Sequence, residues 1–318
     1  MQHTSFTRAH RHTISTELKL QLVDLTTFQF ANRVPEVVSL CKVKDYIKTH
    51  NNQPVINVFS TMHATPATLL DELKSITVNL ADSAARCHCG LCGGGARIDH
   101  RAVCGFGQNI HVSVEDANQA AYLCQALKAY LPHFIALNDS SPFNQPDPAD
   151  AVPSPIRPRP ELGSVEIGIC DSPLTLPHAA MLCGYAQLLV NLLLAVQPDV
   201  PVDRDACYAS NLRNARRAGV SAHYTDPLKG ETVMLKQHID ATLTLLTQLS
   251  KEDECGVIKY FRHYLQQEYH DGELLRHNLD VGVGTAGIAR SMINLLIPPE
   301  HIIVNEQSML QRSAYETL

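Results

Sequence analysis

The sequence has 318 residues, contains no tryptophan and has no hydrophobic run long enough to cross a bilayer. Its longest apolar run, 188–196, is interrupted by Asn191, whereas a membrane-spanning helix needs about 20 apolar residues. The first 25 residues include Arg8 and Arg11 but no apolar stretch behind them, which argues against a signal peptide. We therefore expect a cytoplasmic protein with no membrane partner.

Basic charge is also scarce, since Lys and Arg number 26 against 32 Asp and Glu, for a net charge of −6. Nucleic-acid binding depends on a surplus of positive charge, so we expect no nucleic-acid partner. Hydrophobic residues make up 45% and charged residues 18%, which is ordinary for a globular enzyme. A weakly acidic protein can still bind ATP, because a local basic patch and magnesium neutralise the phosphates.

Alternation of polar and apolar residues predicts strands, and apolar spacing of three to four residues predicts helices. The strands are expected at 17–24, 55–59, 109–114 and 164–170. The helices are expected at 64–84, 116–131 (ended by Pro132), 176–195, 204–218, 232–250, 254–269 and 284–296. A proline-rich stretch at 144–160 predicts an irregular crossover. Strands early and helices late favour one α+β domain over 1–318, with an antiparallel or mixed sheet rather than a doubly wound fold.

Three of these strands carry polar side chains on one face, because side chains in a strand have a period of two. The polar sets are Glu17, Lys19 and Gln21; Asn109, His111 and Ser113; and Glu166 beside Gly168. Each set alone also fits a solvated outer face or an exposed edge strand. A carboxylate on a central strand is costly to bury unless it meets a cation. Together the three sets indicate that one surface of the sheet is an active site.

Two further motifs have competing interpretations. The cluster Cys87-His88-Cys89-Gly90-Leu91-Cys92, with the turn at 92–95 and with His100 and Cys104 beyond, has soft ligands that could hold zinc. The ten cysteines are equally explained as reduced thiols, which are typical of cytoplasmic proteins. The stretch 282–287 fits the dinucleotide-binding pattern G-x-G-x-x-G, but no strand–helix–strand unit follows it. We interpret it as the start of a helix.

Several motifs in order resemble the YbdK-type carboxylate–amine ligases, which are related to glutamate–cysteine ligases. The matching segments are 17–21 (ELKLQ), 92–95 (CGGG), 106–112 (FGQNIHV), 131–137 (LPHFIAL), 140–143 (SSPF), 157–167 (RPRPELGSVEI) and 171–176 (DSPLTL), with weaker matches at 211–219 and 226–227. Together they run from about residue 13 to residue 230. The number and order of the motifs make the resemblance specific.

The resemblance implies a glutamine-synthetase-like catalytic fold that uses ATP and magnesium. Such enzymes phosphorylate a carboxylate, and an amine then displaces the phosphate to form an amide. The expected substrates are an amino acid or small carboxylate plus an amine, and the expected assembly is a homodimer or larger. The implied catalytic residues are Glu17, Glu166 and His111, of which Glu17 and Glu166 also bind metal. The implied ATP- and substrate-binding residues are Gln21, Lys19, Arg157, Asn211 and Arg216.

The chain departs from the family pattern where the metal is expected. Lys19, Gln53 and Asn57 replace acids, Asn109 replaces a histidine, and Gly168 replaces an arginine; Ala96, Arg97 and Ile98 differ as well, and the segment before Arg157 is short. An ammonium 4 Å from a divalent cation is repelled by roughly 8 kcal/mol at an effective dielectric near 20. We therefore expect a ligase with a divergent metal site. The alternatives are a catalytically inactive family member that acts as a binding or regulatory module, and a thiol or metal-binding protein using Cys87, Cys89 and Cys92.

Overall fold

A computed structural model describes residues 12–49, 54–95, 107–141, 155–200, 205–227, 229–250 and 255–298. The strands of these segments are β1 (Ile14–Asp24), β2 (Ile47–Thr49), β3 (Val55–Phe59), β4 (Cys89–Cys92), β5 (Gln108–Ser113), β6 (Ile156–Arg159), β7 (Ser164–Cys170), β8 (His223–Thr225) and β9 (Thr232–Met234). The helices are α1 (Val34–Leu40), α2 (Pro66–Arg86), α3 (Ala117–Ala126), α4 (Leu131–Leu137), α5 (Leu176–Val196), α6 (Asp205–Ala218), α7 (Leu235–Leu249), α8 (Cys255–Leu265), α9 (Asp271–Asp280) and α10 (Gly284–Leu296).

Seven of the described strands form one antiparallel sheet in the order β2-β3-β1-β5-β7-β6, with β4 also paired to β1. The long strand β1 is central because it pairs with β3, β4 and β5 along different parts of its length. A separate pair is formed by β8 and β9. The predicted α+β class with an antiparallel sheet is confirmed. That one domain covers residues 1–318 stays a prediction.

The core lies between the apolar face of the sheet and the long helices. Leu18, Leu20, Ile110 and Ile167 are buried on that face, as their alternation with polar residues predicts. Helix α5 contacts α2, α8 and β5. Although its contiguous apolar run at 188–196 is short, the whole of α5 is long and apolar enough to cross a membrane, but most of its residues are buried within the protein. Its packing is that of a core helix.

The sequence predicts that Pro132 ends a helix. In the structure Pro132 instead lies in the first turn of a helix. Helix α3 is capped by Asp116, whose side chain accepts from the Gln119 N–H, and it stops at Ala126. A 3₁₀ turn follows, and α4 then begins with Pro132 near its start. A proline is tolerated there because the N–H groups of the first turn have no partner within the helix.

Three other predictions need correction. The segment 232–250 is not helical from its start, since Thr232–Met234 forms β9 before α7 begins. Within the proline-rich stretch, Ile156–Arg159 forms the edge strand β6, where the missing N–H of Pro158 is tolerated. Residues 144–154 of that stretch lie outside the described residues. The turn expected at 92–95 starts one residue later, because Cys92 belongs to β4.

Candidate active site

The register of the sheet brings the three predicted polar sets together. Across neighbouring strands Glu17 faces Asn109, and Glu166 faces His111 on one side and Arg157 on the other. Lys19 faces Asn57 on β3. Since paired residues in a sheet project from the same face, these side chains form one polar surface. The clustering predicted from strand periodicity is therefore what the structure shows.

Glu17 is held by two neutral amides. The Asn57 amide donates to Glu17 Oε1 at 2.6 Å, and the Asn109 amide donates to Oε2 at 3.1 Å. Asn57 and Asn109 are two of the positions at which the chain departs from the family pattern. An amide supplies a hydrogen to a carboxylate, whereas the acid or histidine expected there would supply a ligand to a metal. The substitutions thus turn the surroundings of Glu17 from metal-binding to hydrogen-bonding.

Glu166 is a buried carboxylate, only 1% exposed, with an arginine at each oxygen. The Arg157 Nε donates to Oε1 at 2.7 Å, and Arg159 Nη1 forms a short ion pair with Oε2. His111 Nε2 lies 3.8 Å from Oε2. Sequence reasoning missed Arg159, although its position two residues from Arg157 on a strand puts both arginines on one face. The charge of Glu166 is neutralised within the protein.

His111 lies beside this carboxylate in a buried environment. Burial lowers the pKa of His111, while the negative charge of Glu166 acts in the opposite direction. Its other ring nitrogen, Nδ1, is 3.4 Å from Ser164 Oγ. A neutral imidazole at this position can accept a proton, which an imidazolium cannot do.

Lys19 and Gly168 complete the polar surface. Lys19 is half-buried, and its ammonium has no hydrogen-bond or ion-pair partner within the described segments. A Cβ added at Gly168 would lie 3.0 Å from Asn109 Oδ1 and 3.5 Å from Glu166 Oε1. The loss of a side chain at residue 168 therefore makes room for the Asn109 amide. The departures at residues 109 and 168 are sterically linked.

The predicted magnesium site, with Glu17 and Glu166 as ligands, does not fit this arrangement. Magnesium binds oxygen ligands in near-octahedral geometry and is repelled by neighbouring cations. Each oxygen of Glu17 and Glu166 already accepts a hydrogen bond from an amide or a guanidinium. In the part of the chain that the structure describes, no group of three or more metal-binding side chains is found. Gln53, the remaining substituted acid, lies outside the described residues.

Gln21 is fully buried and holds the glycine turn rather than facing an open cleft. Its amide donates to the carbonyl oxygens of Gly93 at 3.2 Å and Gly94 at 3.4 Å. A side chain at Gly93 would clash with the Pro173 carbonyl, and Gly94 has a φ of 103°. The turn therefore requires glycine. Residues 96–98, which follow it and depart from the family, lie outside the described residues.

Asn211 and Arg216, predicted to contact phosphates or substrate, both lie on α6. The Asn211 amide donates to the Thr225 carbonyl at 2.7 Å and accepts from the Thr225 N–H at 2.9 Å. Asn211 therefore joins α6 to β8. Arg216 is half-exposed in the last turn of α6. Their binding roles stay predictions.

The cysteine cluster does not form a metal site among the described residues. Cys89 and Cys92 belong to β4 and pack in two different apolar clusters, on opposite faces of the sheet. Burial raises the pKa of Cys89 to about 11 and that of Cys92 to about 12, so both stay protonated thiols. His100 and Cys104 lie outside the described residues.

The glycine-rich stretch near the end of the chain starts a helix, as predicted. Gly284 is the first residue of α10, and the element before it is the helix α9 rather than a strand. A dinucleotide-binding turn requires a preceding strand, so this stretch does not have that structure.

Comparison with known proteins identifies the family. The glutamate–cysteine ligase family 2 matches residues 97–150 and 151–283, more than half of the chain. The chain belongs to this family, which confirms the resemblance in its motifs. A candidate glutamate–cysteine ligase 2 of Ralstonia pickettii is 27% identical, over 85% of this chain and 91% of the relative. One from Bordetella avium is 28% identical, over 87% and 86%.

Solved structures show the same fold. A glutamate–cysteine ligase from Francisella tularensis in complex with AMP has a TM-score of 0.67 at 10% identity, covering 98% of this chain and 94% of the other. The ligase PafA, solved in complex with the prokaryotic ubiquitin-like protein Pup, has a TM-score of 0.66 at 14% identity, covering 96% and 76%. The predicted glutamine-synthetase-like ligase fold is confirmed, and the protein is a member of a ligase family.

Proposed function

We propose that the protein is an ATP-dependent carboxylate–amine ligase that forms an amide through an acyl phosphate. The observation that carries the proposal is the convergence of Glu17, His111, Glu166, Lys19 and Arg157 on one face of the sheet in a glutamate–cysteine ligase family member. The relatives from Ralstonia and Bordetella carry the name of a glutamate–cysteine ligase, which supports a carboxylate and an amine as substrates. The carboxylate is an amino acid or another small acid.

The chemistry divides between the charged groups of this surface. Transfer of a phosphoryl group from ATP to the carboxylate develops negative charge, which Lys19 and Arg157 are suited to stabilise. The amine must lose a proton as it displaces the phosphate, and His111 can accept it because burial keeps the imidazole neutral. Gln21 supports the surface by holding the glycine turn. Magnesium, which neutralises ATP phosphates in such reactions, binds weakly here because Glu17 and Glu166 are already engaged.

The test is ATP turnover with a panel of amino acids and amines. Wild-type protein should release ADP and phosphate only when both a carboxylate and an amine are present, and hydroxylamine should trap the acyl phosphate as a hydroxamate. Glu166→Gln should lower turnover by about 10²-fold or more, because the arginines lose the charge that orients them. Glu161→Gln, which removes an exposed carboxylate that also pairs with Arg159, is the matched control and should retain most activity. Turnover that needs no amine would contradict the proposal.

A catalytically inactive family member, acting as a binding or regulatory module, is the second candidate. The engagement of Glu17 by two amides and of Glu166 by two arginines favours it, since both acids are withdrawn from catalysis. It predicts that ATP or an amino acid binds in calorimetry without any release of phosphate across the panel. We further propose a cytoplasmic homodimer or larger assembly, for which the exposed Leu245 and Leu249 on α7 offer apolar surface.

A further inference from the structure

The arginines beside Glu166 are placed by the sheet itself. Arg157 and Arg159 stand two residues apart on β6, opposite Glu166 and Ser164 of β7. Both guanidiniums therefore project from the same face of the sheet, toward the same carboxylate. Arg159 is held further by Glu161, whose Oε1 accepts from Arg159 Nε at 2.5 Å. This geometry is built into the edge strand and the 3₁₀ turn that follows it.

The two arginines satisfy what a buried carboxylate otherwise needs from a metal. Glu166 has almost no contact with solvent, so its charge requires a cation at hydrogen-bond distance. Arg157 binds Oε1 and Arg159 binds Oε2, so both oxygens have a positive partner. A divalent cation bound to Glu166 would lie beside both guanidiniums and would be repelled by them. The two guanidiniums therefore disfavour a divalent cation beside Glu166.

The rest of the polar surface also disfavours a divalent cation. Asn57 and Asn109 occupy the oxygens of Glu17 with neutral donors, and Lys19 adds a positive charge on the same strand face. Arg157, Arg159 and Lys19 balance Glu17, Glu161 and Glu166 in formal charge. The side chain of Arg157 is 51% exposed, so part of its guanidinium stays accessible to an anion.

We propose that Arg157 and Arg159 take the place of a divalent cation beside Glu166, so that phosphate groups bound at this surface are neutralised by protein cations rather than by magnesium. Arg159 is then a phosphate-neutralising residue of the site, a role that the family pattern does not assign to it. The identity of the phosphate ligand as ATP rests on the proposed function. The replacement of the metal by the two arginines does not.

The first experiment titrates Mn²⁺ into the full chain and follows the free ion by electron paramagnetic resonance. Wild type should show no Mn²⁺ binding that depends on Glu166. The Arg159→Gln variant should bind Mn²⁺ at least about tenfold more tightly than wild type does. Arg159→Lys, which keeps the charge, should behave as wild type, and so should the surface control Arg262→Gln. If Arg159→Gln does not fold by circular dichroism, Arg157→Gln provides the same test.

The second experiment measures ATP binding by calorimetry with Mg²⁺ and with EDTA. Wild-type affinity should change by less than about threefold, while Arg159→Gln should become dependent on Mg²⁺ by about tenfold. Mn²⁺ binding by wild type that Glu166→Gln abolishes would overturn the inference, as would equal Mn²⁺ affinity in wild type and Arg159→Gln. If wild type binds no ATP with Mg²⁺ or with EDTA, the ligase proposal is contradicted. If Arg159→Gln still binds Mn²⁺ more tightly than wild type, the inference that the arginines replace the metal is nevertheless supported.

Discussion

At the scale of single residues, the site changes in linked groups rather than one position at a time. A side chain at residue 168 would crowd the Asn109 amide oxygen, so Asn109 would have to shift by a few tenths of an ångström to accommodate it. The Asn57 amide binds Glu17 while its strand partner is Lys19. The two neutral replacements, Asn57 and Asn109, are thus each paired with Glu17, since an unpaired polar group would be costly in this partly buried surface.

Asn211→Ala tests whether this residue is structural. The change removes one donor and one acceptor that bind the Thr225 backbone, and we expect it to lower the free energy of unfolding by about 2 kcal/mol. Urea unfolding measures the effect. Asn214→Ala, which removes one bond to the His223 carbonyl from the same helix, should cost less than about 1 kcal/mol. A large loss of ATP affinity with unchanged stability would instead favour the predicted binding role of Asn211.

At the scale of elements, close contacts between neighbouring helices position the helices around the sheet. Helix propensity does not describe these contacts. Gly184 lies in the middle of α5, where it meets α2 and α8. A Cβ there would lie 2.5 Å from Pro66 Cγ and 2.7 Å from Val257 Cγ2. Glycine is a poor helix former, so its presence in the helix is explained by the approach of the neighbouring helices.

Gly184→Ala should therefore destabilise the protein although alanine is the better helix former. Alanine gains about 1 kcal/mol of helix propensity, and overpacking costs about 1–3 kcal/mol, so we expect a net loss. Gly256→Ala in α8 is the matched control, because nothing lies within 4 Å of its added Cβ. The control should raise the unfolding midpoint. An increase in stability for Gly184→Ala would mean that α2 and α8 move apart easily.

The elements that sequence predicts well are those with several periods of a pattern. The bounds of β3, β7 and α10 follow from alternation or helical spacing. The three-residue strands β2, β8 and β9 were missed because three residues carry no usable period. Pro132 misled because proline stops a helix and starts one equally well.

At the scale of the whole molecule, burial sets how stability depends on pH. Burial lowers the pKa of four histidines, namely His111, His133, His178 and His238, of which His133 and His238 are hydrogen-bonded to each other. The unfolded histidines, with a pKa near 6.5, bind protons that the folded ones do not. Stability is therefore complete above about pH 6.5 and is lost as the pH falls below it. Asp271, whose pKa burial raises, acts in the opposite sense.

Urea unfolding between pH 5 and 8 should show this loss, with a slope of up to about 1.4 kcal/mol per pH unit for each histidine. His178→Gln should reduce the slope of the free energy of unfolding against pH by the contribution of one histidine, because the variant has no buried imidazole at residue 178. Asn214→Ala, which changes no titratable group, should leave the slope unchanged. A stability independent of pH across this range would show that the buried histidines accept protons without unfolding.

The sequence by itself determined the α+β class, the polar face shared by Glu17, His111 and Glu166, and the ligase family, because strand alternation and ordered motifs are local properties of the chain. Only the tertiary structure decided what those acids contact. Strand pairing placed Asn57 and Asn109 on Glu17 and brought Arg159 to Glu166, and pairing between distant segments leaves no local signal. Most residues of the site were readable in the chain, whereas the contact of Arg159 with Glu166 followed from the register of β6 and β7.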